Sequence, residues 1–379
     1  MSLNIGICGG GVGGLTAAIA LIRQGHRVTL HEQARAFTRI GADVNLTPNA
    51  VRALDRLGIG ETLRETAARP AFRISRTWDT GEETSRLPMG AEAEAKYGAP
   101  QLTIHRGDLL RALEARVPGA AIRLDHRVTG VSGGTVRLAD GSSAQYDVVI
   151  GADGIHSAVR TALFGADSPR FTGLVSYRAV VPRAAVAAVP NLDSFTKWWG
   201  PQPDVQVVVF PLTRGEEVFI FATTPQDDWR EESWTMPGDV DELRAVYSDF
   251  HPEVRALLAA IGSVTKSALY VRDPMPRWSS DHATLLGDAA HPMVPFMAQG
   301  ACMAIEDAVV LSRALEGAGP ADVPLALRRY EDARRDRTAR IQQGSLANDW
   351  MKGQGNADWV YGYDAWTAPL GQPEGAAQG

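Results

Sequence analysis

Six consecutive positions near the N-terminus, Gly9-Gly10-Gly11-Val12-Gly13-Gly14, satisfy the spacing G-x-G-x-x-G at Gly9, Gly11 and Gly14. They stand between a short apolar run, Leu3 to Cys8, and an Ala- and Leu-rich helical stretch, Leu15 to Ile22, that stops at Gly25 and His26. A side chain at Gly9 or Gly11 would block the tight turn or the approach of a pyrophosphate, and one at Gly14 would push the helix off the sheet. The helix start adds free N–H groups and the positive end of its dipole. A second strand, Arg27 to His31, ends at Glu32, roughly 20 residues on, where a carboxylate can accept the ribose hydroxyls of an adenine dinucleotide. An acid there disfavours a 2′-phosphate, so the motif predicts a site for FAD or NAD rather than NADP.

Two later stretches each read as an apolar strand that delivers an aspartate at its carboxyl end: Val148 to Asp153 with Gly154, and Thr284 to Asp288. That is where ligands bind in open α/β sheets, although an aspartate there also serves as a plain turn former. Taken with His105-Arg106-Gly107-Asp108-Leu109 and Met297-Ala298-Gln299-Gly300-Ala301, these motifs resemble in order and spacing the fingerprints of the single-component FAD-dependent aromatic hydroxylases. The resemblance covers nearly the whole chain. It is greatest to the group of 6-hydroxynicotinate and salicylate hydroxylases, through Phe37 to Ala42, Lys197-Trp198-Trp199, Met297 to Ala308, and Trp359 to Asp364.

The fold implied by this resemblance is α/β, with a Rossmann-like FAD-binding domain of the p-hydroxybenzoate hydroxylase type. That domain is interleaved with a mostly antiparallel β-sheet substrate domain and followed by C-terminal helices. The expected FAD-binding parts are 1–72, 98–172 and 266–345, and the substrate domain 73–97 and 173–265. The extension 346–379 ends in a Gly-, Ala-, Gln- and Pro-rich tail read as disordered. Short β-branched and aromatic runs at 171–181, 194–199, 205–211 and 217–223 fit the antiparallel sheet. Helical patterns follow at 299–315 and 324–350, the second carrying Arg328-Arg329 and Arg334-Arg335 as a solvated face.

The implied chemistry is a monooxygenase reaction. NADH or NADPH reduces bound FAD in a transient encounter, oxygen is captured as a flavin C4a-hydroperoxide, and an electron-rich aromatic or heteroaromatic ring is hydroxylated, with or without loss of a carboxylate. A non-hydroxylating flavin oxidoreductase, or an NAD-dependent dehydrogenase using the first fingerprint alone, is the alternative. The resemblance implies FAD contacts at Gly9, Gly11, Val12, Gly14, Glu32, Gln33, Arg39, Asn45, Arg106, Val128, Asp153, Gly287, Asp288, Gln299, Gly300 and Ala301. Asp288 is expected on the ribityl hydroxyls, and a helix opening near Gln299 faces the flavin pyrimidine, where its dipole eases reduction. Arg160 is divided between its own helix and a ligand. His291 is expected to shape the flavin site rather than act as a base, and Trp198 and Trp199 to pack.

The chain departs from the group's pattern in the substrate pocket. Where the relatives carry two histidines and a tyrosine, it has Asn45, Phe296 and a valine near Val208 or Val209. The expected pocket is therefore less polar, with Asn45, Pro295 and Phe296 as the residues nearest the chemistry and Val207, Val209, Phe221, Pro295 and Phe296 against the substrate. Asn45 has the further option of capping the helix near Pro48. No clear general base remains, so the substrate is expected to bind as its phenolate or to lose its proton through water.

Composition agrees with a globular protein. The 379 residues are 45% hydrophobic and 22% charged, enough for a large core, and no uninterrupted apolar run approaches the roughly 18 residues of a membrane helix. A net charge of −6 lacks the basic excess that a phosphate backbone demands, so nucleic acid is not an expected partner. The first residues do not resemble a secretory leader, and two cysteines, Cys8 and Cys302, fit a reducing cytoplasm. The histidines show no metal-ligand spacing, and the expected assembly is a monomer or homodimer.

Overall fold

The computed structural model describes residues 1–37, 43–227, 229, 236–350, 352 and 357–371. The chain shuttles between two sheets. Strands β1 (Asn4–Cys8) and β2 (Arg27–His31) begin the first sheet, and β3 (Phe72–Thr77) with β4 (Glu83–Pro88) leave for the second. Strands β5 (Ile122–Arg123) and β6 (Val148–Gly151) return to the first. The second is then completed by β7 (Arg170–Pro182), β8 (Phe195–Trp199), β9 (Gln206–Leu212), β10 (Glu217–Pro225), β11 (Met236–Gly238) and β12 (Val264–Val271). Finally β13 (Ala283–Leu285) rejoins the first.

The first sheet is parallel throughout, in the order β13-β6-β1-β2-β5. Its strands β1 and β6 are buried apolar runs, as expected of the centre of a parallel sheet. Helix α1 (Val12–Arg23) is buried from Val12 to Leu21, because it lies between this sheet and another helix rather than on the surface. The other helices that matter for the site are α2 (Pro48–Arg56), α3 (Arg106–Glu114), α4 (Ala158–Phe164), α5 (Gly300–Leu315) and α6 (Val323–Ala347).

The second sheet has eight strands, β11-β12-β7-β10-β9-β8-β3-β4, antiparallel except for β8 against β3. Every residue of β9 is buried because both faces are covered. Val207 and Val209 pack with Trp198 in one apolar cluster, and Val208, Phe210 and Leu212 pack with Phe195, Phe219 and Phe221 in another. Among the described residues no helix is long and apolar enough to cross a membrane.

The basic clusters on α6 are not uniformly solvated. Arg334 is completely buried and lies against Glu306 and Asp307 of α5, at 2.8 and 2.7 Å. Its position on the inward stripe of α6 decided this, where the sequence alone suggested a wet face.

Candidate functional site

Two cavities meet at Arg106, the first residue of α3. The larger, about 560 Å³, lies at the carboxyl ends of β1, β2 and β6. Gly9, with φ +108°, turns so tightly that a Cβ there would stand 2.3 Å from the Ala152 carbonyl oxygen. A Cβ on Gly14 would stand 1.9 Å from the Gly9 oxygen, so α1 can approach β1 only with glycine at that position. Gly11 is different, because a Cβ there meets nothing within 4 Å and would point into open space. This cradle, which a methyl would fill, adjoins the start of α1, where no side chain caps the free N–H groups. The residues present fit the diphosphate of an adenine dinucleotide.

Glu32 accepts from the Gly10 and Ala34 N–H groups, both at 2.7 Å, and lines the same cavity with Gln33, Val128 and Asp153. Val12 contributes no side chain to it and packs in the core. Asp153 also accepts from Ser157 Oγ and the Val159 N–H, tying down the start of α4, and burial pushes its carboxyl up. Arg160 serves structure. It grips Asp167 and donates to the carbonyls of Ala289 and Ala290, joining α4 to the turn at Asp288. On the same cavity wall His31 bonds Tyr146 Oη at 2.8 Å and stacks on His126; burial, with His126 and Arg123, pushes it down to about 4. Arg39 lies outside the described residues.

The second cavity, about 300 Å³, lies between Asp288, the segment Pro295–Ala301 and one face of the eight-stranded sheet. A buried ionic cluster holds the first two of these together. Asp307 on α5 accepts from the Gly287 N–H at 3.0 Å, from His291 Nε2 at 2.6 Å and from Arg334 Nε at 2.7 Å. Glu306 binds Arg334, Arg337 and Asn49. Burial alone would raise Asp307, but His291 and Arg334 outweigh it and hold the carboxyl at about 2. His291 is thereby spent on the scaffold and does not line the cavity. Asp288 projects into the cavity beside Arg106, and the crowding of protein around it pushes its carboxyl up.

Gly300 and Ala301, at the start of α5, line the cavity. The Gln299 side chain turns away, donating to Thr47 Oγ1 at 2.9 Å and accepting from Asn49 at 3.2 Å, so only backbone near it can face a flavin. Asn45 lines the cavity while accepting from Gln101; the cap residue of α2 is Thr47. Pro295 and Phe296 line it as well.

On the sheet face the strand alternation corrects the sequence expectation by one residue. Gln206, Val208 and Phe210 face the cavity, whereas Val207 and Val209 belong to the cluster on the other side. Phe221 lines it as expected, joined by Phe219 and Phe195. The pocket is also more polar than the three departures suggested, because Arg73, Arg178, Lys197 and Asp43 line it too. Lys197 was within a stretch that carried the family likeness, and alternation from Phe195 would have placed it inward. Nothing in the sequence around Arg73 marked it. Asp43 is pushed up to about 6 by burial, against Arg178 and Arg106.

Fold and cavities together define a flavoprotein in which a dinucleotide cradle leads, past Arg106, to an aromatic-walled chamber. Residues 2–345 match the family described as FAD binding domain. The chain is 40% identical over 379 residues to 6-hydroxynicotinate 3-monooxygenase of Bordetella bronchiseptica, covering 99% of this chain and 98% of that protein. It is 36% identical over 391 residues to a 3-amino-4-hydroxybenzoate 2-monooxygenase of Streptomyces platensis, covering 97% of each. A salicylate hydroxylase substrate complex superposes with a TM-score of 0.83 at 28% identity, covering 96% of both chains. The chain belongs to this FAD-binding family and is an FAD-dependent aromatic monooxygenase.

Proposed function

We propose that the substrate is an aromatic acid already bearing a hydroxyl or amino group, which the enzyme hydroxylates with NADH or NADPH and O2. The observation that carries this is the second cavity, which opens to the dinucleotide cradle at Arg106 and is walled by five phenylalanines, Phe195, Phe210, Phe219, Phe221 and Phe296. Its volume suits a single substituted ring. FAD held there and reduced by the nicotinamide would activate O2 as an electrophile, one oxygen atom going to the ring and the other leaving as water, so the ring must be electron-rich.

The chain's own residues do the rest. Gly9, Gly11, Glu32, Gln33, Arg106, Val128 and Asp153 hold the dinucleotide end, and Gly287, Asp288, Gly300 and Ala301 the flavin end. The start of α5 offers N–H groups and a positive dipole end to negative charge on the reduced ring. The phenylalanines, with Pro295, exclude water. Asn45 offers an amide to the substrate or cofactor, and the Asp43 carboxylate accepts the proton released from the substrate hydroxyl. The relatives' activities on hydroxypyridine and aminohydroxybenzoate acids support this substrate class. We assign 1–72, 98–172 and 266–345 to the FAD-binding domain, 73–97 and 173–265 to the substrate domain and 346–379 to an extension. We read the enzyme as cytoplasmic, a monomer or homodimer, its two thiols both buried.

The test is NADH oxidation by the purified protein against hydroxybenzoates, hydroxypyridine carboxylates and aminobenzoates, with products identified by mass spectrometry. Acceleration by one acid with an oxygen gained is expected. Oxidation that no ring compound accelerates would overturn the proposal.

A further inference from the structure

The substrate cavity is lined by two buried basic side chains that lack a carboxylate partner among the described residues. Register aligns Arg178, Phe221, Val208, Lys197 and Ser75 in one row across the sheet, and Phe195 beside Arg73 in the next. Lys197 and Arg73 are therefore diagonal neighbours on β8 and β3, only 5% and 4% exposed, and both line the cavity. Lys197 Nζ donates to Asn348 Oδ1 at 2.9 Å and sits 3.4 Å from the Trp199 ring centroid. Arg73 donates to Tyr361 Oη at 3.2 Å and covers the Phe195 ring at 4.4 Å. Among the described residues neither forms an ion pair. On the adjoining strand Gln206 also lines the cavity, fully buried, and neither its amide oxygen nor its nitrogen has a hydrogen-bond partner.

Buried charge and buried amides are costly until they are paired, and three such groups line one cavity, with Lys197 on the strand between the other two. A neutral ring cannot satisfy them. A carboxylate can, because its two oxygens accept from ammonium, guanidinium and amide N–H donors alike, with Lys197 the diagonal neighbour of both Arg73 and Gln206. We propose that Arg73, Lys197 and Gln206 form the receptor for the ring carboxylate of the substrate. This rests on the substrate class proposed above and sharpens it, since uncharged phenols and anilines then bind poorly. Burial, together with Arg73 and Lys352 and against Asp349, holds the Lys197 ammonium well below its usual range; an arriving carboxylate reverses that. The receptor is closed by residues beyond α6, as Asn348 and Tyr361 orient its two cations. The C-terminal segment thus takes part in substrate recognition.

The experiment titrates the FAD-loaded full-length protein with benzoate, benzamide, phenol and chloride, following the flavin absorbance. Wild type, K197M, R73M, K197R and R73K are compared. Benzoate is expected to bind about tenfold or more tighter than benzamide, and K197M or R73M to lose benzoate affinity about tenfold with benzamide unchanged. K197R and R73K should recover part of that affinity. The proposal is overturned if benzoate does not perturb the flavin, if benzoate and benzamide bind alike, or if chloride binds as well as benzoate. It is equally overturned if both methionine variants keep wild-type benzoate affinity. Where a methionine variant fails to retain FAD, the wild-type benzoate and benzamide comparison decides. Acids bound through Arg73 and Lys197 but never oxygenated would leave the receptor standing and remove the proposed reaction. Neutral phenols oxygenated while acids are not bound would remove both the receptor and the acid substrate class, leaving the hydroxylation itself.

Discussion

Gly11 and Gly14 lie three residues apart in one motif, yet adding a methyl to each should have opposite consequences. Gly11 has φ −72° and ψ −175°, a conformation open to any residue, and its Cβ would touch no protein atom within 4 Å. G11A should therefore keep the apo fold and even gain about 0.4–1 kcal/mol from the reduced freedom of the unfolded chain. Its methyl enters the cradle and holds a diphosphate off the N–H groups of α1. Losing one hydrogen bond to a charged group costs about 1.5–3 kcal/mol, or roughly 10- to 150-fold in Kd. In G14A the new Cβ lies 1.9 Å from the Gly9 oxygen and 3.1 Å from its carbon, both backbone, so α1 must move. Overpacking of that kind costs about 1–3 kcal/mol or more in the apo protein. FAD titration by fluorescence quenching and thermal melts of the apo forms separate the two. G11A binding FAD with wild-type affinity, or melting well below wild type, would refute the placement of the diphosphate.

Three further outcomes are expected. R334M leaves the Glu306 and Asp307 carboxylates buried without their shared guanidinium and should cost about 3–5 kcal/mol in urea unfolding, whereas a cost under 1 kcal/mol would show the cluster to be dispensable. His31 is held at about 4, against a usual 6.5, so the unfolded chain binds more protons between those values. Its contribution is complete above pH 6.5 and is lost as pH falls toward 4, roughly 2 kcal/mol after allowing for water at the ring; H31Q should flatten stability over that window, and an unchanged slope counts against it. Asp43 must be ionised to accept a proton, so kcat/KM should fall below about pH 6. D43N should remove that acid limb and lower the plateau by roughly 10²- to 10⁴-fold, and a retained limb would assign the proton to another group.

Much of the scaffold was legible because its signals are local. The strand, glycine turn and helix around Gly9 to Gly14 follow from steric limits on single residues, and Glu32 sits where a strand end must lie. The expected runs at 205–211 and 299–315 became β9 (Gln206–Leu212) and α5 (Gly300–Leu315) to within a residue, since periodicity and capping are properties of the neighbouring chain. What failed depended on which way a side chain faced. Val207 and Val209 are as apolar as Val208, and with both faces of β9 buried no polar alternation marked the cavity side. Gln299 opens the expected helix, but Thr47 and Asn49, some 250 residues away in sequence, claim its amide. Arg334 reads as one of many surface arginines until α5 brings Glu306 and Asp307 against it. The dinucleotide cradle was legible in the sequence because it rests on backbone geometry at a few glycines and strand ends, whereas the flavin and the kind of chemistry were legible only through the motifs the chain shares with its family. Only the tertiary structure decided the charge of the substrate cavity, because Arg73, Lys197, Gln206 and Asp43 come from separate segments and acquire a common environment only when the sheet closes over them.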